Sequence, residues 1–331
     1  MTLPPLEPRR ARDLVARMRG LHVLVAGDVM IDRFVVGRVS RISPEAPVPV
    51  VQFQHEYVRL GGAANVAHNL AALGATVSLA GVVGADAAGR RLRDELRAAR
   101  IADDGLAEDA ARPTVEKVRI VTDRNQQVAR IDYEQDEDVA GAIEARLVET
   151  IASHRAAARA LLVSDYLKGT ITRGVMAALR QSAVPLIVDP KIPHLEMYKG
   201  ASLVTPNHQE AETATHRRIR TDDDARQAAL DFRQRAGCEA VLITRGEQGM
   251  WLSSRDAEGA IPAVAREVSD VTGAGDTSVA TLALALAAGA SLVEAAVLAN
   301  HAAGVVVAKF GPATVSPDEL LASLPAIQPQ P

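Results

Sequence analysis

Short apolar runs recur along this chain, and most of them stop at a glycine or a polar residue. Residues 21–26 run into Gly27-Asp28, 161–163 into Ser164-Asp165, 186–188 into Asp189-Pro190, 203–204 into Thr205-Pro206-Asn207, and 241–243 into Thr244-Arg245-Gly246; 76–83 is a further run. Runs of this length, bounded by turn formers, read as buried strands. Between them lie segments with helical spacing of apolar residues: 65–73 (closed by Gly74), 87–99, 143–158, 173–181 and 222–236. Strands alternating with helices predict an α/β fold, a doubly wound, mainly parallel sheet with helices on both faces. Ligands of such sheets bind beyond the carboxyl ends of the strands, where these polar residues fall.

Two segments break the alternation. Residues 34–58 carry Pro44, Pro47 and Pro49 among valines and predict edge strands and turns. Residues 113–133 predict two strands, 115–121 and 127–131, around the polar turn Asp123-Arg124-Asn125. Together they are expected to form a small β lid over the carboxyl edge of the main sheet. Residues 1–20 read as an N-terminal extension without the apolar stretch of a signal peptide, 21–324 as the folded domain, and 325–331, rich in Pro and Gln, as a disordered tail. The longest apolar run, 279–290, is too short to span a bilayer and reads as a buried helix.

Composition narrows the function. The chain has 331 residues, 48% of them hydrophobic, and a net charge of −4 from 37 basic and 41 acidic residues, which gives no reason to expect nucleic acid as a partner. The lone Cys238 excludes a disulfide within the chain and a cysteine-based zinc site, and reads as a small buried hydrophobe. None of the 8 histidines has metalloprotease spacing, and neither a P-loop nor a G-x-G-x-x-G motif is present. A protein of the reducing cytoplasm, away from membranes, is the expectation.

The chemistry is concentrated in a few places. Val271-Thr272-Gly273-Ala274-Gly275-Asp276-Thr277 follows a segment, 261–268, that reads as a strand, and precedes the strong helix former 278–288. Its glycines let backbone N–H groups approach an anion, and the start of a helix favours negative charge there. Asp276 would then stand beside a phosphate-sized site, placed to take a proton from a hydroxyl. The same residues also suit a plain glycine turn with an acidic cap, and the motif alone leaves both open. Gly61-Gly62-Ala63-Ala64-Asn65 opens a helix in a way that admits a ligand or serves as a turn. Asp28 and Asp32, just past the first strand, suit sugar hydroxyls. Asn207 and Glu210 suit a hydrated Mg²⁺ and phosphates, or a capping box. Thr244, Gly246 and Gly249 form a glycine-bounded turn. Arg124, Arg130, Lys168 and Lys191 sit at lid or strand-end positions and could hold an anionic group.

Taken in this order, the motifs resemble the ribokinase-like (PfkB) carbohydrate kinases over 21–324, with Gly-Gly-x-x-Asn near the start and Thr-Gly-Ala-Gly-Asp near the end. The strings Gly27-Asp28-Val29-Met30-Ile31-Asp32-Arg33, Ser40-Arg41-Ile42-Ser43-Pro44-Glu45-Ala46-Pro47-Val48-Pro49-Val50, Arg124-Asn125-Gln126-Gln127 and Ser164-Asp165-Tyr166-Leu167-Lys168-Gly169 are similar to heptose 7-phosphate kinases within that family. The resemblance implies transfer of the ATP γ-phosphate to the anomeric hydroxyl of D-glycero-D-manno-heptose 7-phosphate, a step toward lipopolysaccharide. Asp276 would be the base, with N–H groups from Gly273, Ala274, Gly275 and Asp276 as the anion hole. Asp28, Asp32, Gly61, Gly62, Asn65, Arg124, Asn125, Gln126, Arg130, Lys168 and Lys191 would serve the sugar phosphate. Asn207 and Glu210 would arrange Mg²⁺ through water, and Thr244, Gly246, Gly249 and Asn300 would line the nucleotide site. Asp270 and Thr272 match a loop that holds a monovalent cation such as K⁺ in some relatives. A homodimer through the lid is implied, as are a separate adenylyltransferase and phosphatase, because the H-x-G-H of fused adenylyltransferases is missing from this sequence. The alternatives are a fructose 6-phosphate or ribose kinase of the same fold, and a non-catalytic sugar-phosphate-binding regulator.

Overall fold

The structure is a computed structural model, and it describes residues 2–264, 268–309 and 311–324. The strands are β1 His22–Gly27, β2 Val29–Ile42, β3 Pro49–Gly62, β4 Thr76–Gly84, β5 Leu106–Asp109, β6 Val115–Thr122, β7 Gln127–Tyr133, β8 Ala160–Ser164, β9 Leu186–Asp189, β10 Leu203–Val204, β11 Val241–Thr244, β12 Met250–Ser253 and β13 Glu258–Ile261. The helices are α1 Pro8–Met18, α2 Ala63–Ala72, α3 Ala87–Ala98, α4 Gly141–His154, α5 Arg173–Leu179, α6 His208–Thr215, α7 Asp222–Ala236, α8 Ala274–Ala287, α9 Leu292–Val306 and α10 Pro317–Ser323.

Nine strands form the main sheet in the order β13-β12-β11-β10-β9-β8-β1-β4-β5. From β5 to β11 neighbours run parallel, and β12 and β13 add an antiparallel edge. Alternation along the central strands divides the interior. Val23, Val25 and Leu162 join α1, α2, α8 and α9 on one face, while Leu24, Leu161 and Val163 join α4, α5 and α7 on the other. Both faces are covered, so the strands have no polar side, and their polar residues gather where they end.

Three elements differ from expectation. Residues 8–18, inside the expected extension, fold as α1, with Ala11, Leu14, Val15 and Met18 buried against the core. The arginines between these four positions conceal the helical stripe in a reading of composition. β13 ends at Ile261, and the expected strand over 261–268 does not continue through 262–264; residues 265–267 lie outside the described residues. So does the tail, 325–331.

The second sheet has the order β3-β2-β6-β7. Edge strands and turns were expected over 34–58; β2 and β3 are each 14 residues long and pair antiparallel from Val29–Gly62 out to Ile42–Pro49. Pro44 and Pro47 fall in the connection, and Pro49 opens β3, so no ladder hydrogen bond within a strand is lost. β2 starts two residues after β1 ends, and β3 runs straight into α2. Asp32, Gly61 and Gly62 therefore sit on strands that are continuous with the main domain. Among the described residues, no helix is long and apolar enough to cross a membrane.

Candidate active site

The carboxyl ends of β1, β8, β9, β10 and β11 open toward the N-terminus of α8. Gly273 takes φ +81° just before that helix, a conformation that favours glycine. Asp276 follows in the first turn and is buried. Its carboxylate is held at both oxygens: Oδ2 accepts from Asn65 Nδ2 at 2.7 Å, and Oδ1 from the Tyr166 hydroxyl at 2.9 Å. Burial pushes its pKa up to about 6, and Asp32 adds to the rise, while the Asn65 and Tyr166 hydrogen bonds and the Lys191 charge hold it back. Tyr166 is raised well above its ordinary value by burial and by Asp276, so its hydroxyl remains a donor.

Asn65 is itself positioned. Its backbone oxygen accepts from Asn69 Nδ2 at 2.9 Å, and Asn69 Oδ1 accepts from Thr277 Oγ1 at 2.8 Å. This buried chain ties α2 to α8 around the carboxylate. In this arrangement the Asn65 amide nitrogen holds the acid.

Asp28, expected to meet sugar hydroxyls, has another task. Oδ2 accepts the Tyr166 N–H at 2.7 Å and the Lys168 N–H at 3.1 Å, and Oδ1 accepts the Thr170 N–H at 3.0 Å. Asp28 is 1% exposed, so the lone pairs are spent on the loop after β8. Asp165 braces the same loop from the other side, accepting the Leu167 N–H at 2.9 Å and the Tyr198 hydroxyl at 2.7 Å, with His194 Nδ1 also at 2.7 Å. Two buried acids thus aim Tyr166 at Asp276.

Beyond Asp276 lies a cavity of about 270 Å³ lined by Asp189, Lys191, Asn207, Glu210, Gly273 and Gly275, among others. Lys191 Nζ stands 2.5 Å from Glu210 Oε1 and 5.2 Å from the centre of the Tyr166 ring. That places Lys191 beside Asn207 and Glu210, on the wall of the cavity that Asp276 also lines. Asn207 and Glu210 form the capping box of α6: Asn207 Oδ1 accepts the Glu210 N–H at 2.9 Å, and Glu210 Oε2 accepts the Asn207 N–H at 3.0 Å. Burial, with Asp276 and Glu210 nearby, raises Asp189 well above the usual carboxylate range against the pull of Lys191.

A second cavity of about 280 Å³ adjoins the first at Thr244, Gly275 and Ser278. Thr244, Gly246, Gly249 and Asn300 line it together with Val264, Val268, Val271, Ala303 and Val307, which give apolar walls suited to a flat ring. Gly249 is required here: at φ +77°, a Cβ would lie 2.1 Å from the Ile261 oxygen. Asn300 donates to the Pro262 oxygen at 2.8 Å and so holds the chain that borders the cleft. Asp270 accepts the Thr272 N–H at 2.9 Å and the Gly311 N–H at 3.0 Å. Burial raises its pKa, but these bonds and the Arg119 charge bring the net value below the usual range.

The remaining expected residues are not gathered at Asp276. Arg124, Asn125 and Gln126 form the exposed β6–β7 turn, with the Arg124 and Gln126 N–H groups on Thr122 Oγ1 at 3.2 and 3.1 Å. Thr122 lies five residues beyond Lys117, the partner of Asp32 in the ladder, about 17 Å along the strand. Arg130 is exposed and pairs with Asp132 at 2.9 Å. Lys168 is held by Glu134 at 2.9 Å and Asp136 at 2.7 Å. Sequence reasoning passed over Tyr166, Asp189 and Arg119 as site residues. For the first two a signal existed, their place immediately after a strand; Arg119 lies mid-strand and has none.

A family model described as pfkB family carbohydrate kinase matches residues 21–319. Bifunctional protein HldE of Geotalea uraniireducens (strain Rf4) is 43% identical over 324 residues, covering 96% of this chain and 66% of that protein. The same identity and coverage hold for Bifunctional protein HldE of Geobacter sulfurreducens. The chain spans about two thirds of the length of these curated relatives, 66%. Among solved structures, Arabidopsis thaliana ribokinase complexed with ribose and ATP superposes with a TM-score of 0.74 at 22% identity, covering 92% of this chain and 98% of that one. Escherichia coli phosphofructokinase-2 in complex with potassium gives 0.76 at 19%, covering 92% and 97%. The fold is theirs: a large mixed sheet between helices and a smaller separate sheet.

Proposed function

Because the chain belongs to the pfkB family of carbohydrate kinases, and so transfers a phosphoryl group to an alcohol, we propose that it phosphorylates the anomeric hydroxyl of D-glycero-D-manno-heptose 7-phosphate from ATP. The observation that carries the chemistry is Asp276, fixed at both oxygens by Asn65 and Tyr166 beside the glycine loop of α8. A carboxylate with a pKa near 6 is ionised at neutral pH and basic enough to receive a proton as the hydroxyl attacks. The N–H groups at the start of α8, those of Gly275 and Asp276, serve the charge that develops on the transferred group, where a helix start favours it, while the Ala274 N–H donates to the Val271 oxygen at 3.2 Å. Lys191, on the cavity wall beside Asp276, meets the phosphates of the donor. The apolar cleft at Asn300 receives the adenine.

Mg²⁺ suits the donor set, since it binds through a few oxygens and keeps most of its waters: Glu210 and Asn207, with Asp189 nearby, would hold it through water, and the bound ion would neutralise phosphate charge. The loop at Asp270 and Thr272 is the place we assign to a monovalent cation.

The heptose reading rests on the resemblance of the 40–50 and 124–127 strings. Its test is initial-rate kinetics with heptose 7-phosphate, fructose 6-phosphate and ribose. The highest kcat/KM is expected for heptose 7-phosphate; a preference for either other sugar overturns it.

The proposed assembly is a homodimer through the second sheet. Ile42, Val48 and Phe53 are 61%, 52% and 61% exposed at its far end, a cluster that a single copy leaves in water. The sequence leads one to expect Val48, Val50, Val118 and Ile120 at such a surface; of these Val48 is exposed, Val50 and Ile120 are half-buried, and Val118 is buried within its own chain at 4% exposure. Val48→Asp with Phe53→Asp is expected to give monomers in sedimentation equilibrium. A wild-type chain that is monomeric at micromolar concentration overturns the assignment.

A further inference from the structure

The proposed substrate carries a phosphate at the end remote from the reacting hydroxyl, and a cation must meet it. The basic side chains on the face of the second sheet that carries Asp32, together with Lys168 in the loop after β8, are unequal candidates. Lys117 is shared between Asp132 at 3.3 Å and Glu134 at 3.1 Å, and Lys168 between Glu134 and Asp136. Arg59 is exposed and lies over the Tyr57 ring at 4.9 Å. Arg119 differs. Its side chain is 17% exposed, and among the described residues Asp32 is its one hydrogen-bond partner.

The geometry places this pair at the mouth of the site. β6 runs parallel to β2 with Lys117 opposite Asp32 and Arg119 opposite Phe34. The Arg119 guanidinium therefore reaches back along the sheet to Asp32, passing 5.4 Å from the Phe34 ring. Across β3, Gly61 stands so close that a Cβ there would lie 2.8 Å from Asp32 Oδ2. Asp32 lies on the stretch of β2 that pairs with the end of β3, and β3 runs straight into α2, whose Asn65 holds Asp276. The pair therefore sits on the part of the second sheet that is joined to the site.

We propose that Arg119 binds the anionic group of the acceptor sugar, and that its ion pair with Asp32 is the resting arrangement which that group replaces. The proposal deepens the heptose phosphate reading and rests on it. Its physical content is discrimination. A neutral sugar that draws Asp32 to its hydroxyls leaves a desolvated guanidinium without an anion, which is costly. A phosphosugar supplies both groups: hydroxyls for Asp32, and oxygens that a planar guanidinium can engage through two N–H bonds. The pair therefore makes the phosphate a condition of tight binding rather than an addition to it.

The test is a ratio: kcat/KM for the phosphosugar the wild type uses best, divided by kcat/KM for the same sugar without its phosphate. In Arg119→Gln this ratio is expected to fall by about 100-fold, the scale of one charge-assisted pair, with the loss in KM for the phosphosugar and KM for ATP within twofold. Arg119→Lys, which keeps charge but not the planar fork, is expected to fall between. A ratio unchanged in Arg119→Gln, with thermal midpoint and ATP kinetics intact, overturns the proposal; so does an equal loss for both sugars. A wild type whose best phosphosugar is not heptose 7-phosphate overturns the substrate reading alone, since the ratio is still measured. Arg119→Lys provides the same comparison if the Gln variant does not fold.

Discussion

Asp276→Asn is expected to lower kcat by about two to four decades, the usual worth of a general base. The substitution preserves size and the place in α8, so KM for ATP should stay near that of the wild type. Turnover close to wild type would remove Asp276 from the role. The wild-type pH profile offers an independent check. With a pKa raised to about 6, the carboxyl is protonated below that pH and cannot accept the hydroxyl proton. The plot of kcat/KM should therefore climb with pH and level off above about 6. Tyr166→Phe removes a donor that favours the ionised form, so this acid limb should move to higher pH. A limb that stays in place in Tyr166→Phe would mean that the hydroxyl does not tune the base.

Asp28→Ala should be the most damaging change outside the proton transfer. Three backbone N–H groups, those of Tyr166, Lys168 and Thr170, lose their acceptor. Each buried donor left unpaired costs roughly 1–3 kcal/mol, so for three a loss of about 3–9 kcal/mol in unfolding free energy is expected by urea denaturation. That is a large part of the stability of an ordinary domain. Activity should fall with it, because the loop that aims Tyr166 loses one of its two braces. A sugar-binding aspartate would behave in the opposite way, raising KM for the acceptor while leaving stability alone. That pattern would restore the reading drawn from sequence.

The contrast at Asp28 shows where sequence stops informing. The strand ends, the glycine loop and the nucleotide turn were legible because each is local: a hydrophobic period, a helix former, a residue that needs positive φ. Glu210 and Asn300, named from the resemblance, line the two adjoining cavities beside Asp276. What a carboxylate bonds to is not local. Asp28 is joined to a loop about 140 residues later, and Asn65 and Tyr166 come to Asp276 from separate elements. Charged strand positions mislead in a further way. Lys168 and Arg130 look available in sequence and are paired in space, whereas Arg119 looks like an ordinary surface residue and is half-buried on Asp32. α1 was hidden because its four buried residues are outnumbered by the charges around them.

β2 and β3 have a mechanical consequence as well. At about 3.3 Å per residue, 14 residues make an arm about 45 Å long. Its root is narrow. The Ala63 N–H bonds the Asp28 oxygen at 3.0 Å, and a Cβ on Gly62 would lie 2.4 Å from that same oxygen, so both strands start from one point, with a further brace where Arg91 of α3 pairs with Glu56 at 3.0 Å. A rotation of about 10° at this root would carry the tip through about 8 Å over an arm of that length. Asp32, close to the fulcrum, would hardly move. Leverage runs the other way too: a small load at the apolar tip is a large torque at the root. Two copies clasped at their tips would thus hold each other's arms, and the sugar affinity of such an enzyme should strengthen as its concentration rises through the range where the copies pair.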